Sequence, residues 1–558
     1  MGIEHLRPIG VDPLTHKYIL PTRVVWATEG VLNAEGLVNN ALPQIHWDHL
    51  QSPAVFSTEG GKKAAVVLDF GSEIAGGLRI TSHMSGTDVD RERHFTVRFG
   101  ESVSEAMTPM GEKGACNDHC IREHHVLLQW FGSMELAQTG YRFVYIELTD
   151  PDRMMEIAAV QGVFTYRDVP YRGSFSCNDT RLNEIYNVSA YTVHLCMQRF
   201  LWDGVKRDRL IWFGDVHPEI LAIRTVFGHN EVVDDSLRYL DVSNPPPDWP
   251  NAMTSYAMWY IRSVWDWYLH NGDAALAAEL KPLWLSLLKQ LLALVHEEDD
   301  RMLRLEEFGG GFFFDWPTKD MDDASEAGMY ALLVTALEAG AALCRAFGEE
   351  ACAALCAKKC AVLSQKSLQP HGMKQVAAMM NLAGMLSDAE AGALLTENGG
   401  AGMSTFHSYY ILKAVTQSAG VESALAMLRE YYGAMLDAGA TTFWEDFDME
   451  WARPDARIDR VLAEGEYDIH GDNGKFCYVG LRHSLCHGWS AGPTAFLADT
   501  VLGIEILEPG CRRVAVKPQL GDLEWAKGTY PTPYGDITVS VTKEGVEIDA
   551  PAEIEIVR

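Results

Sequence analysis

Trp202-Asp203-Gly204-Val205-Lys206-Arg207-Asp208-Arg209-Leu210-Ile211-Trp212-Phe213-Gly214-Asp215 is a loop that lies between two apolar segments of helical period. It holds three aspartates, three basic residues and two tryptophans. A solvated loop has little use for two tryptophans, and an apolar core has little use for six charges. Sugar sites use both, because aromatic rings pack on pyranose C–H faces while charged groups bond the hydroxyls. The loop predicts a polar active site; the alternative is an interhelical loop held by internal ion pairs.

Composition excludes several classes of function. The chain has 558 residues, which at ~150 residues per domain suggests two to four domains. Its hydrophobic content of 47% is typical of a globular protein. The net charge of −31 argues against nucleic acids and anionic membrane surfaces as partners. No run of ~18 apolar residues is visible and Met1–Pro8 lacks the apolar core of a secretory signal, so we expect no membrane span and a cytoplasmic location.

The cysteines predict neither a disulfide framework nor a metal site. There are eleven, scattered along the chain, which fits reduced thiols in the cytoplasm. Cys352, Cys356 and Cys360 share one helical face among alanines and are interpreted as packing residues. The run Cys116-Asn117-Asp118-His119-Cys120 resembles a zinc motif but lacks a second ligand pair at a usual distance, so a structural loop is favoured. We predict no metal and no cofactor.

The hydrophobic period changes twice along the chain. Residues 1–172 alternate like short strands and predict an N-terminal β-sandwich domain. From Asp179 the period is helical up to about residue 504, which predicts a barrel of helical hairpins. Residues 505–558 alternate again and predict a small C-terminal β domain. The clearest strands are expected at 64–71, 76–81, 94–100, 141–148, 514–516, 537–541 and 554–557. The clearest later helices are expected at 253–271, 275–297, 325–347, 350–366, 403–418 and 421–437.

This domain order and three motifs resemble glycoside hydrolase family 78, the bacterial α-L-rhamnosidases. The motifs are the 203–215 loop, the run Thr441-Thr442-Phe443-Trp444-Glu445 and the turn Thr532-Pro533-Tyr534-Gly535. A fourth segment, Leu485-Cys486-His487-Gly488-Trp489, is similar only loosely. The resemblance covers nearly the whole chain, from the strand end Leu68-Asp69-Phe70-Gly71 to the turn at Gly535.

The resemblance implies a fold, a reaction and roles for particular residues. The fold would be multidomain, with an (α/α)6 helical barrel over residues 173–504 as the catalytic domain between the two β domains. The reaction would be hydrolysis of a terminal α-L-rhamnosyl residue with inversion, with Asp208 as general acid and Glu445 as general base. The residues expected to contact the carbohydrate substrate are Asp203, Arg207, Trp212, Asp215, Trp316, Trp444 and His487.

Several alternatives stay open at this stage. Many family members carry Glu where this chain has Asp208, so Asp208 is either a working acid on a loop closer to the bond or only an ion-pair partner of an arginine. Asp446 and Asp448 rival Glu445 as the base, and Trp316 and His487 can equally be packing residues. The protein could also cleave another terminal sugar, act as a lyase, or bind carbohydrate after losing catalysis. The paired acids speak against a lyase, which would use a Tyr or His base. Exposed edge strands could pair two copies into a homodimer.

Overall fold

The computed structural model describes residues 11–40, 52–86, 90–295, 311–475 and 479–558. The expected fold class is confirmed: a helical barrel follows an N-terminal antiparallel sheet and precedes small C-terminal sheets. The expectation for Met1–Pro8 and the end of the helix predicted at 275–297 fall outside the described residues. One apolar core fills the barrel and continues into the C-terminal sheets, and a second belongs to the N-terminal sheet.

The described residues of the N-terminal region form a nine-stranded antiparallel sheet and two short helices, α1 (Gly36–Asn39) and α2 (Val103–Met107). Its strands are β1 (Thr15–Ile19), β2 (Arg23–Ala27), β3 (Val31–Leu32), β4 (Ala54–Ser57), β5 (Ala64–Ser82), β6 (Glu92–Gly100), β7 (Glu123–Gln129), β8 (Ser133–Leu148) and β9 (Met154–Tyr166). The order is β3-β4-β9-β5-β8-β6-β7, with β1 beside β9 and β2 beside β5. β5 is buried along most of its length because neighbouring structure covers both of its faces.

One strand prediction was wrong in its division. The segments 64–71 and 76–81 were expected as two strands, and they form the single strand β5. Its register against β8 shifts between Asp69 and Ile74, where Gly71 has a φ of +86°. A glycine bulge bends a strand without ending it, so the turn signal in the sequence marked a bend.

The described part of the barrel contains fourteen α-helices. They are α3 (Thr180–Cys196), α4 (Val216–Val226), α5 (Glu231–Arg238), α6 (Leu240–Ser243), α7 (Thr254–Asn271), α8 (Ala274–Glu279), α9 (Lys281–Leu294), α10 (Asp322–Ala346), α11 (Glu350–Leu363), α12 (Lys374–Leu382), α13 (Asp388–Leu395), α14 (Ser408–Ala419), α15 (Val421–Asp437) and α16 (Gly492–Phe496). Six of them, α4, α7, α10, α12, α14 and α16, contact one another in a closed ring. Others, including α3, α9, α11, α13 and α15, pack around that ring.

Local chemistry explains where several helices begin. The side chain of Asp179 caps α3 by accepting from the backbone N–H groups of Arg181 and Leu182. The helix predicted at 275–297 is divided into α8 and α9, because Pro282 stands in the first turn of α9 and has no N–H to continue the preceding helix. Helix α10 is long and apolar enough to cross a membrane, since an 18-residue stretch of it has a mean hydropathy of 1.6. However, 83% of that stretch is buried inside the protein. It is therefore built as a core helix.

The C-terminal region forms two small sheets from β11 (Ile504–Ile506), β12 (Arg513–Val516), β13 (Trp525–Thr532), β14 (Gly535–Thr542), β15 (Gly545–Asp549) and β16 (Glu555–Val557). A further strand, β10 (Ser174–Cys177), pairs antiparallel with β13. The chain thus contributes a strand to the C-terminal sheet before it enters the barrel. The two paired strands are about 350 residues apart, so local sequence patterns cannot predict this pairing.

Candidate active site

A cavity of about 140 Å³ brings acidic and aromatic side chains together. Four carboxyl groups, one imidazole and six apolar side chains line it: Asp203, Asp208, Asp215, Glu445, His487, Trp212, Met253, Tyr256, Phe313, Trp316 and Trp489. Polar groups that face aromatic walls suit a ligand with both hydroxyls and C–H faces.

Backbone contacts join the three segments that carry the motifs. The N–H of Gly488 donates to the carbonyl of Asp203 at 2.7 Å, and Gly204 forms an antiparallel bridge with His487. The N–H of His487 donates to the carbonyl of Phe443 at 3.0 Å. These bonds hold the 203–215 loop, the 441–445 run and the 485–489 segment against one another, although the loop lies more than 200 residues before the other two in sequence.

Asp208 presents its carboxyl group to the cavity. Arg207 Nη1 donates to Oδ1 at 2.7 Å, and the indole N–H of Trp212 donates to Oδ2 at 3.1 Å. His119 Nδ1 lies 3.1 Å from Oδ1, and the Asp208 side chain is 11% exposed. The carboxyl group is therefore held in one orientation while remaining accessible from the cavity.

Glu445 also lines the cavity and is almost fully buried. Its backbone is fixed on both sides: its N–H donates to the carbonyl of Ser484 at 3.0 Å, and its carbonyl accepts from the Trp489 indole at 2.9 Å. Arg207 Nη2 donates to Glu445 Oε2 at 2.8 Å. Burial raises the pKa of Glu445, and Arg207 opposes that rise. One guanidinium thus holds both predicted catalytic carboxyl groups and favours the ionised form of Glu445, which a base requires.

His487 occupies the space between three acids. Its ring nitrogens lie 3.7 Å from Asp203, 3.8 Å from Asp215 and 3.8 Å from Glu445. Burial, and then neighbouring acids, raise the pKa of Asp203 and of Asp215 well above the usual range. Burial and Arg207 lower the pKa of His487 well below its usual value. The surroundings therefore favour the neutral forms of these two acids and of the imidazole, and neutral groups can donate to and accept from hydroxyls without a net charge.

The structure does not bring every predicted residue into the cavity. Arg207 lies behind the carboxyl groups that it holds and is outside the lining. Trp444 is 1% exposed, packs edge-on against Phe447 and is also outside the lining. The rival bases Asp446 and Asp448 do not line the cavity either, and Asp448 instead caps the turn that begins at Met449.

Four lining residues were not among the predicted site residues: Met253, Tyr256, Phe313 and Trp489. Trp489 stacks on Phe406 at 4.7 Å and was within reach of sequence reasoning, since it follows His487 by two positions. Phe313 belongs to an aromatic run before the predicted Trp316, but Tyr256 and Met253 sit on or next to α7 in a pattern that a core helix shares. Only the packing of α7 against α4 places them here.

A buried cluster of two glutamates and one histidine lies outside the cavity. The described residues contain one group close enough to ligate an ion, formed by Glu101, Glu105 and His470. The ammonium of Lys206 lies 2.7 Å from Glu105 and 3.3 Å from Glu101 and supplies the positive charge there. The Cys116–Cys120 loop makes other contacts: Cys120 donates its S–H to the carbonyl of Lys206. Among the described residues, Cys116, His119 and Cys120 form no such group.

The substitution Glu219→Gln, on α4, is expected to stabilise the folded protein. Neither carboxyl oxygen of Glu219 has a hydrogen-bond partner. Burial raises the pKa of Glu219 well above the usual range, and the nearby acids Asp215 and Asp203 raise it further. The folded protein therefore favours the protonated form of Glu219, whereas the unfolded chain ionises it above its ordinary pKa. The free energy of unfolding therefore falls as pH rises from the pKa of Glu219 in the unfolded chain to its higher pKa in the folded protein, by about 1.4 kcal/mol per pH unit. The amide avoids this loss.

Urea unfolding at pH 5.5 and pH 8 measures the effect. Glu219→Gln should gain stability over the wild type mainly at pH 8, while the exposed control Glu544→Gln should match the wild type at both. Equal or lower stability of Glu219→Gln at pH 8 would contradict the burial of a neutral carboxyl group here.

Two family models match parts of the chain. Residues 170–359 match the bacterial alpha-L-rhamnosidase 6 hairpin glycosidase domain, and residues 503–554 match the bacterial alpha-L-rhamnosidase C-terminal domain. No curated protein matches the chain significantly.

Solved structures share the fold at low sequence identity. The GH78 family rhamnosidase of Bacillus sp. GL1 is 22% identical with a TM-score of 0.73, over 94% of this chain and 55% of that one. A rhamnosidase from Klebsiella oxytoca with rhamnose bound is 20% identical with a TM-score of 0.65, over 87% of this chain and 96% of that one. A Streptomyces avermitilis alpha-L-rhamnosidase complexed with L-rhamnose is 15% identical with a TM-score of 0.67, over 90% of this chain and 50% of that one. The chain spans about half the length of the Bacillus enzyme.

Proposed function

Because the chain belongs to the bacterial α-L-rhamnosidases, glycoside hydrolase family 78, we propose that it is an inverting exo-glycosidase that releases terminal α-L-rhamnosyl residues. The observation that carries the proposal is the cavity in which Asp208 and Glu445 share Arg207 and face an aromatic wall. Its limited volume suits one terminal sugar, and the aglycone would extend outward past Asp208.

The proposed chemistry assigns one carboxyl group to each side of the bond. Asp208 gives its proton to the glycosidic oxygen as the bond from that oxygen to the anomeric carbon breaks. Glu445 takes a proton from a water molecule whose oxygen bonds the anomeric carbon from the opposite face. Arg207 keeps both groups in place, and the proton gained by Glu445 returns to Asp208 through solvent. The products are the free alcohol and a β-configured sugar.

Specificity for the sugar would come from the rest of the wall. Asp203, Asp215 and His487 supply hydroxyl partners without a net charge, and Trp212 and Trp316 supply flat apolar surface. Rhamnose suits such a site because its 6-deoxy carbon is a methyl group, which packs on aromatic rings and needs no hydrogen bond.

We also propose that the chain is divided into domains at residues 1–172, 173–504 and 505–558. We further propose that the protein is cytoplasmic and that two copies pair into a homodimer.

Turnover of a panel of p-nitrophenyl glycosides tests this function. The α-L-rhamnoside should be hydrolysed at least about a hundredfold faster, by kcat/KM, than the α-L-fucoside or the β-D-glucuronide, since each misplaced polar group costs a buried hydrogen bond. Preference for another sugar would assign the same cavity to a different glycosidase. Calorimetric binding of rhamnose without turnover of any glycoside would mark a carbohydrate-binding protein that has lost catalysis.

A further inference from the structure

The N-terminal region packs directly against the 203–215 loop, which carries the proposed general acid Asp208. Gly140 of β8 lies so close that a Cβ added to it would stand 2.5 Å from Val205 and 2.8 Å from the nitrogen of Lys206. Cys120 donates its S–H to the carbonyl of Lys206 at 2.8 Å. The loop is therefore packed between the barrel and the N-terminal sheet and is fixed by both.

The backbone of this loop needs that support. Asp208 has a φ of +53° and Arg209 a φ of +55°, a left-handed conformation that side chains other than glycine disfavour. The guanidinium of Arg209 donates to the carbonyls of Gln138 and His119, both at 2.7 Å. Two carbonyls of the N-terminal region thus hold the strained turn and set the direction of the Asp208 side chain.

His119 adds a direct contact to the carboxyl group itself. Its Nδ1 lies 3.1 Å from Asp208 Oδ1, and its Nε2 lies 3.4 Å from Asp118 Oδ1. Asp118 is in turn fixed by Arg482, whose Nε donates to Oδ2 at 2.9 Å. The imidazole is 41% exposed, so it is not a core residue. Arg482 of the barrel therefore fixes Asp118, and Asp118 in turn orients the His119 imidazole toward Asp208.

We propose that His119 is a positioning residue for the general acid. The inference rests on the proposed function and goes beyond it, because it makes the N-terminal region part of the active site. With Arg207 and His119 both at Oδ1, the Asp208 carboxyl group cannot rotate freely, and Oδ2 stays beside Trp212 on the cavity wall. That oxygen delivers the proton to the leaving group. Without His119 the carboxyl group explores other rotamers, and protonation slows.

Leaving-group dependence tests this role. A substrate that needs protonation should feel the loss of His119, whereas an activated phenolate leaves without help. We expect His119→Ala to lower kcat/KM for phenyl α-L-rhamnoside by about tenfold to hundredfold, and for the 2,4-dinitrophenyl rhamnoside by less than about threefold. His119→Asn, which can place an amide nitrogen near the position of Nδ1, should recover most of the loss. The matched control is His125→Ala, a 74% exposed histidine on β7 of the same sheet.

Each other outcome has a definite meaning. Equal losses with both leaving groups, or a lower melting temperature of His119→Ala, would show a structural role and overturn the inference. No loss with either substrate would also overturn it, while leaving the proposed function intact. A wild type inactive toward the whole series would overturn the proposed function, and this role with it.

Discussion

Asp208→Asn and Glu445→Gln are each expected to lower kcat for phenyl α-L-rhamnoside by at least about a thousandfold, since each removes one of the two proton transfers of the proposed mechanism. Both substitutions keep the shape of the side chain, and the carbonyl oxygen of the new amide can still accept from Arg207. The loss should therefore lie in kcat, with rhamnose binding and the melting temperature close to those of the wild type.

The two variants are expected to fail in different ways. Asp208→Asn should retain much of its activity toward the 2,4-dinitrophenyl rhamnoside, because that leaving group needs no proton. Glu445→Gln should be inactive toward it as well, and azide should restore turnover, because an anionic nucleophile needs no base. Opposite patterns would exchange the two roles.

Asp446→Asn and Asp448→Asn are the matched controls for the base. Both acids lie within three residues of Glu445 but outside the cavity lining. Burial raises the pKa of Asp446 to about 7, so its neutral amide should be tolerated. Wild-type kcat in both controls is expected. A loss in Asp446→Asn as large as that in Glu445→Gln would move the base to Asp446.

Lys206→Met is expected to lower the free energy of unfolding by about 3–5 kcal/mol, the usual cost of leaving buried charges without their partner. The Lys206 ammonium is 4% exposed, lies 2.7 Å from Glu105 and 3.3 Å from Glu101, and donates to the carbonyls of Leu481 and His483. Methionine fills the volume but supplies no charge and no donor. Activity should fall too, since the same backbone carries Asp208.

Urea unfolding across pH measures this effect. Burial raises the pKa of Glu101 to about 7 although Lys206 opposes the rise, so loss of Lys206 raises it further. A raised carboxyl pKa removes stability as pH increases, so Lys206→Met should be most destabilised relative to the wild type above pH 7. Adding Glu101→Gln should recover part of the loss. The control Lys63→Met, at an exposed pair with Glu147, should change stability little. A Lys206→Met protein as stable as the wild type would contradict the buried ion cluster.

The sequence predicted those parts of the molecule that are encoded locally. Asp203, Asp208, Trp212 and Asp215 are spaced within one loop, and all four reach the cavity. Glu445 was predicted from its own motif and faces the same space. The periods of apolar residues likewise predicted α7, α11 and α15 within a few residues of their observed ends.

Features that depend on packing between distant segments could not be predicted. Tyr256 has the pattern of any core helix and becomes a wall residue only through the position of α7. The predicted contact of Trp444 with the sugar followed from its motif, but its ring points into the core. His119 belongs to a run interpreted as a structural loop, and nothing near it in sequence shows that Asp208 lies 3.1 Å away.

The measurement that tests the central claim most directly is ¹H NMR of the first product formed by the wild type from p-nitrophenyl α-L-rhamnoside. If Asp208 and Glu445 act on opposite faces of the bond, β-L-rhamnose appears first and the α-anomer accumulates only as mutarotation proceeds. If α-L-rhamnose appears first, the enzyme retains configuration through a glycosyl-enzyme intermediate, and the assignment of Glu445 as a base acting on water is wrong.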